Sequence, residues 1–283
     1  MEIEIRNSEG AKTAILAVSF GTSYNDSREV TIGAIEKAIA DAFPAYEVRR
    51  AFTSQVIINK LRKRDGIKID NMKEALKKAR EDGIERLIVQ PTHLMNGLEY
   101  RALAEDLRNY GSMFKAVVLG EPLLTAQEDF IAVMEAVTAD TAAYDDGSTA
   151  ICFMGHGTEA ESNAVYERLQ GILREAGYRN YFIGTVEARP TLDDLVTTVK
   201  KSGIYKKAVL KPLMVVAGDH ANNDMAKDED GSWKRTFEEA GYEVRCIMEG
   251  LGQMEAIRKI YVNHVEDSLN RLSELYSGQK NKC

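Results

Sequence analysis

Two histidines and one glutamate, each placed where an apolar strand gives way to a turn, are the residues of this 283-residue chain best suited to chemistry. His156 stands in Phe153-Met154-Gly155-His156-Gly157, Glu187 in Gly184-Thr185-Val186-Glu187-Ala188, and His220 in Ala217-Gly218-Asp219-His220. Two imidazoles and a carboxylate form a ligand set for a divalent first-row metal, and donor type alone does not choose among Co2+, Fe2+, Ni2+ and Zn2+. Three protein ligands leave coordination positions open, the mark of a site that activates or hands over an ion. An imidazole released from metal can take up a proton near neutrality, so the same three residues are the catalytic candidates. Each has a plainer reading. His156 could be a turn histidine between two glycines, Glu187 a partner of Arg189, and His220 a bystander beside a helix-capping Asp219. Asp219 could equally orient the His220 ring. The conjunction weighs more than any single member, because the chain has only four histidines.

The ligands follow one another at roughly thirty residues, about one strand-helix repeat of a wound α/β sheet, in which ligands bind at the edge where the strands end. Short apolar runs do alternate with amphipathic stretches. Strands are predicted at Ala14–Phe20, Glu47–Phe52, Arg86–Gln90, Ala116–Leu119, Ala150–Met154, Tyr181–Val186, Lys207–Leu213 and Glu243–Met248. Helices are predicted at Val30–Phe43, from Ser54, and at Met72–Asp82, Glu99–Tyr110, Ala126–Val137, Ala160–Ala176, Leu192–Lys200, Trp233–Ala240 and Met254–Leu275. This alternation implies parallel sheets covered on both faces.

The pattern restarts after a turn-rich segment, Asp140–Ser148, and the halves echo each other. Ser19-Phe20-Gly21-Thr22 answers Gly155-His156-Gly157-Thr158, Ala51 answers Ala188, and Pro91–Gly97 answers Pro212–Gly218. The expected fold is therefore α/β, two similar three-layer lobes with mostly parallel sheets and a cleft between them. The lobes are residues 1–140 and 141–283, the second carrying the metal ligands, with the C-terminal helix free to pack back on the first lobe.

In the first half Phe20 takes the place of His156, and Arg50 that of Glu187, so the opposite wall of the cleft must do something other than bind metal. His93, at the end of a first-half strand, is a candidate substrate contact, proton shuttle or axial ligand to a metallated ring, or simply a packed loop residue. Arg50 and Arg189 stand beside strand ends, where a guanidinium could fork a substrate carboxylate. His264, among charged residues in a helix, reads as solvated or packed.

Composition narrows the classes. A formal charge of −7 and a pI near 5.4 argue against nucleic-acid binding, which needs a basic face. No apolar run reaches a membrane span, and neither a Walker loop nor a Gly-x-Gly-x-x-Gly fingerprint is present, so no nucleotide is expected. The serine of a nucleophile elbow is missing from Gly155-His156-Gly157. Cys152, Cys246 and Cys283 form neither a zinc motif nor a disulfide framework. Met1–Arg6 is charged and lacks an apolar signal core, so a cytoplasmic protein is expected.

Ala17-Val18-Ser19-Phe20-Gly21-Thr22-Ser23, Arg50-Ala51-Phe52-Thr53-Ser54, Leu61-Arg62-Lys63-Arg64-Asp65-Gly66, Phe153-Met154-Gly155-His156-Gly157 and the long Pro212–Met225 segment together resemble the class II anaerobic cobalt chelatases, from about residue 12 to about 265. The resemblance implies two α/β lobes of the ferrochelatase type with the active site between them, and a metal set of two histidines and a glutamate falling on His156, Glu187 and His220. It implies insertion of Co2+ into sirohydrochlorin or precorrin-2 without ATP, in cobalamin synthesis, with a homo-oligomer as an open option; His93, Phe20, Arg50 and Arg189, singled out by position, are then the candidate tetrapyrrole contacts. The resemblance extends to some exported relatives that bind haem through a histidine in the region matching His93. Haem is an open option here and is not expected. An iron or nickel chelatase, and a non-catalytic tetrapyrrole or metal carrier, remain alternatives.

Overall fold

A run such as Ala14-Ile15-Leu16-Ala17-Val18 has no polar side to turn to water, so it belongs in a parallel strand covered on both faces. In the computed structural model, which describes residues 11–280, it is β1 (Thr13–Ser19), buried from Ala14 onward. The N-terminal Met1–Arg6 stretch and Cys283 lie outside the described residues. α1 (Asn25–Arg28), a π-helical turn at Glu29–Gly33 and α2 (Ala34–Ala42) lead to β2 (Glu47–Phe52). α3 (Gln55–Asp65) and α4 (Met72–Glu81) lead to β3 (Arg86–Pro91), and α5 (Leu98–Tyr110) to β4 (Ala116–Leu119). After α6 (Gln127–Thr141) the pattern restarts with β5 (Thr149–Gly155), α7 (Ala164–Glu175), β6 (Tyr181–Thr185), α8 (Leu192–Ser202) and β7 (Lys207–Pro212). A second π-helical turn (Ala221–Met225), α9 (Trp233–Glu239), β8 (Glu243–Cys246) and the long α10 (Glu255–Lys280) complete it.

The strands form two four-stranded sheets, ordered β2-β1-β3-β4 and β6-β5-β7-β8, with every pairing parallel. The same order in both sheets matches the internal echo: β1 and β5 are equivalent central strands, and β3 and β7 both end on the prolines of the echoed segments, Pro91 and Pro212. Helix starts are set locally. Asn71 and Glu74 form a reciprocal capping box on α4, and Thr191 and Asp194 do the same on α8.

Alternate residues of the central strands face different cores. Ala14, Leu16 and Val18 face α4 and α5, whereas Ile15 faces α2 and α10. Likewise Ala150, Cys152 and Met154 pack with residues of α8 and α9, whereas Ile151 and Phe153 share a core with residues of α6 and α7. The inner faces of both sheets thus belong to one continuous core, stitched by two helices. α6 lies against α7, and α10 returns to lie on α2, β3 and β4 of the first sheet. α10 buries Ile257, Ile260, Tyr261, Val265, Leu269 and Leu272, at roughly 1.5–3 kcal/mol per large apolar side chain. That sum rivals the whole net stability of a domain, about 5–15 kcal/mol, so α10 is integral to the fold.

Two buried polar clusters fix the crossing helices. His264 of α10 uses both ring nitrogens, on the Glu121 carbonyl at 3.2 Å and on Asp129 Oδ1 at 3.0 Å. Asp129 Oδ2 in turn accepts the Thr125 and Ala126 amides at the start of α6. His264 is therefore packed rather than solvated. Lys211, fully buried on β7, donates to Asp140 at 2.6 Å and Glu249 at 3.2 Å, tying the end of α6 to the second sheet. Among the described residues no helix is long and apolar enough to cross a membrane.

Candidate metal centre

Parallel strands that begin together end together, so the residues following β5, β6 and β7 meet at one edge of the second sheet. His156 comes directly after β5, Glu187 two residues after β6, and His220 at the head of the π-helical turn that follows β7. Each offers a ligand atom, and the three atoms all lie within 4.8 Å of one another. The two imidazoles stand edge-on, their centroids 4.6 Å apart at 87°, and Glu187 Oε2 is 3.5 Å from His156 Nδ1. Side-chain exposures of 46%, 56% and 28% for His156, Glu187 and His220 leave the group open to an incoming ion or ring.

Backbone pairing carries the first two ligands past the strand ends. Val186 N–H donates to the Gly155 carbonyl, and Glu187 N–H to the His156 carbonyl at 2.9 Å. Gly157 then turns away with φ +84°, a conformation that costs an L-residue about 1–2 kcal/mol. The Tyr166 hydroxyl, from the buried face of α7, accepts the Gly157 N–H at 3.3 Å. Burial pushes this phenol up to about 12, so it stays a neutral hydroxyl. The β7 loop is pinned from the other side: Leu251 and Gly252 donate to the Met214 and Val215 carbonyls.

Hydrogen bonds set the tautomers. His156 Nδ1 lies 2.8 Å from the Gly157 carbonyl, which can only accept, so Nδ1 carries the proton and Nε2 keeps its lone pair. His220 Nδ1 lies 2.8 Å from Asp224 Oδ2 in the same relation. Both rings therefore present a basic Nε2 while the other nitrogen is held, an arrangement that orients metal-binding histidines. The partner of His220 is Asp224 and not Asp219. On a helical turn the residue four places on shares the histidine's face, whereas the preceding residue does not. Asp219 instead accepts from Asn223 at 3.0 Å and from the Tyr24 hydroxyl at 3.4 Å. Asp224→Asn is accordingly expected to weaken Co2+ binding by about 10–100-fold while the thermal midpoint stays near wild type; calorimetric titration against Asp219→Asn, which should change affinity far less, checks this.

Tyr24 belongs to the first lobe, so its contact with Asp219 bridges the lobes beside the ligand group; burial first, then Asp219, raises its pKa. Phe20, at the end of β1, is 48% exposed, an apolar surface in the place that His156 occupies in the other lobe. Arg189 is open to solvent next to Glu187, with Asp194 at 3.5 Å its nearest carboxylate. Arg50 is engaged. Its Nε donates to both Glu36 oxygens at 2.7 and 3.0 Å, and its Nη2 to Oε2 at 2.5 Å, and this pairing raises its pKa.

His93 follows β3 on the first sheet. Its residue is only half-buried, yet both ring nitrogens are shielded and have no hydrogen-bond partner. Burial lowers its pKa from 6.5 to about 4. Above pH 6.5 folded and unfolded chains both hold it neutral. Between pH 6.5 and about 4 the unfolded chain takes a proton that the folded one refuses, so stability falls as pH falls, by at most about 3 kcal/mol. Urea unfolding at pH 7.5 and pH 4.5 should show a smaller acid-induced loss in His93→Gln than in wild type.

The family described as cobalt chelatase (CbiK) matches the chain over residues 13–270. The sirohydrochlorin cobaltochelatase of Salmonella typhimurium is 38% identical over 263 residues, covering 93% of this chain and 98% of the relative. Sirohydrochlorin cobaltochelatase CbiKC of Nitratidesulfovibrio vulgaris is 31% identical over 270 residues, 93% of each. Among solved structures, SirB from Bacillus subtilis with Fe3+ superposes with a TM-score of 0.63 at 12% identity, over 91% of this chain and 95% of SirB, a likeness of fold.

Proposed function

Because the chain belongs to the cobalt chelatase (CbiK) family, we propose that it is a sirohydrochlorin cobaltochelatase, inserting Co2+ into sirohydrochlorin or precorrin-2 in anaerobic cobalamin synthesis. The observation that carries this reading is the convergence of His156, Glu187 and His220 at the open edge of the second sheet.

The arrangement suits the reaction. Metallation exchanges two pyrrole N–H protons for one divalent ion. Co2+ is the substrate metal, held by two neutral imidazoles and a carboxylate with positions left open for water or ring nitrogens. As ring nitrogens replace the protein donors, the freed Nε2 lone pairs and the Glu187 carboxylate become bases close to the departing protons. A flat macrocycle needs an apolar wall opposite the ion, and exposed Phe20 supplies one on the first lobe. Arg189 is placed to meet a carboxylate of the ring, whereas Arg50, closed on Glu36, acts through the packing of α2 on β2. His93 is neutral at physiological pH, and with both ring nitrogens shielded it offers the macrocycle no free donor or acceptor. The reading takes residues 1–140 and 141–283 as the two lobes, and a cytoplasmic setting, supported by the free thiols of Cys152 and Cys246.

Anaerobic absorbance assays of purified protein with sirohydrochlorin and Co2+, Fe2+ or Ni2+ test it. Multiple turnovers with cobalt are expected. Stoichiometric binding without turnover would replace the chelatase by a carrier.

A further inference from the structure

We propose that Arg28, at the end of α1, is a binding subsite for a peripheral carboxylate of the tetrapyrrole, with the Arg64 guanidinium at its side. The proposal deepens the chelatase reading and rests on it.

Three guanidiniums gather around the start of α1 and the end of β2. Arg50 closes on Glu36, and Arg64 closes on Asp65 at 2.6 Å. Arg28 is different. Among the described residues no carboxylate lies within ion-pair distance of it, and its Nη1 donates to a neutral acceptor, the Asn25 side-chain oxygen, at 2.7 Å. That same oxygen also accepts from Arg64 Nη2 at 3.4 Å, so two cations converge on one amide oxygen. The chain carries 44 acidic residues against 37 Lys and Arg, yet among the described residues the nearby carboxylates, Asp65 and Glu29, act on this guanidinium only from beyond ion-pair distance. Burial first, and then the nearby Arg50 and Arg64, depress the Arg28 pKa, with Asp65 and Glu29 opposing. A lysine in such a field could shed its proton; a guanidinium cannot. An arriving anion relieves it, and a carboxylate matches its fork with two parallel hydrogen bonds.

Position supplies the second argument. Arg28 N–H donates to the Tyr24 carbonyl, so the two residues stand one above the other on the same helical face. Tyr24 is the residue whose hydroxyl crosses to Asp219, the neighbour of His220. Arg28 is thus about one helical turn, ~5.4 Å of rise, from a side chain that touches the metal-site loop. Phe20 and Val30, each nearly half-exposed, belong to the same connection after β1. Apolar surface beside a cation with no carboxylate at ion-pair distance is what a macrocycle edged with carboxylates requires.

The test compares wild type, Arg28→Gln and Arg28→Lys. Arg28→Gln should raise KM for sirohydrochlorin roughly tenfold, the effect of one lost charge-assisted contact. It should move kcat less than twofold and leave Co2+ binding, titrated without the ring, unaltered. Arg28→Lys should recover part of the loss, keeping the charge without the fork. Binding of an octacarboxylate porphyrin, followed by its own fluorescence and needing no turnover, should weaken in parallel and depend less steeply on NaCl. Unchanged porphyrin binding in folded Arg28→Gln overturns the proposal, as does a fall in kcat and Co2+ affinity at unchanged KM. If Arg28→Gln fails to fold, Arg28→Lys decides: weaker porphyrin binding supports the subsite and wild-type binding overturns it. If the wild type fails to metallate sirohydrochlorin while Arg28→Gln still loses porphyrin binding, the chelatase reading falls and the subsite stands.

Discussion

Replacing either His156 or His220 by alanine should lower cobalt insertion by at least ~10²-fold, the effect of losing a positioned ligand or base. In each ring one nitrogen is held, by the Gly157 carbonyl or by Asp224, which leaves the other as the free donor. Removing a ring therefore takes away one of the three donors of the proposed set. On the proposed assignment the three act on one ion, so the double variant His156→Ala/His220→Ala should be little worse than either single variant, since residues that work as a unit are not additive. Glu187→Gln should fall in the same range and weaken Co2+ binding in calorimetry. Both histidines are part-exposed and neither is in a core cluster, so circular dichroism and the thermal midpoint should stay near wild type. Near-normal rates in both folded single variants would remove the ligand assignment.

Gly157→Ala should damage both fold and activity. At φ +84° a side chain is strained by about 1–2 kcal/mol. The added Cβ would also lie 2.8 Å from the Ala188 nitrogen and 2.9 Å from Thr185 Cβ, and overpacking of this kind costs typically about 1–3 kcal/mol. The total, about 2–5 kcal/mol, should appear as a clear fall in the urea midpoint. The same collision pushes the β5 turn away from the β6 turn, and so separates His156 from Glu187. A displacement near 1 Å can cost about 10²-fold in rate, so a folded fraction should still be a poor catalyst. Gly171 is the control: it sits within α7 with open space around it, and alanine there should leave both properties intact.

Much of this architecture was legible in the residues. β1 and β5 are apolar along their centres, residues 14–18 and 150–154, because both faces are covered, and such runs announce parallel strands. The convergence of His156, Glu187 and His220 was legible because parallel strands end together, so position along the repeat translates into position in space. What escaped has physical reasons. The π-helical turns at Glu29–Gly33 and Ala221–Met225 have no apolar period to betray them, and with the second went the role of Asp224. The His-x-x-x-Asp spacing would have marked it had a helical turn been assumed. Arg50 looked available from its place at a strand end; its capture by Glu36 depends on how α2 packs on β2. That Arg28 meets an amide oxygen and, among the described residues, no carboxylate at ion-pair distance could not be read at all, because it depends on how separate segments fold together.

The two helices that pass between the sheets carry one more implication. A protease that cuts the exposed turn at residues 145–148 would sever the peptide between the two repeats, yet the pieces should not part. The upstream piece keeps α6, whose apolar side is seated among residues of β5 and α7. The downstream piece keeps α10, seated on β3 and β4. Each piece grips the other, so the nicked chain should migrate as a single species under native conditions and separate only in denaturant.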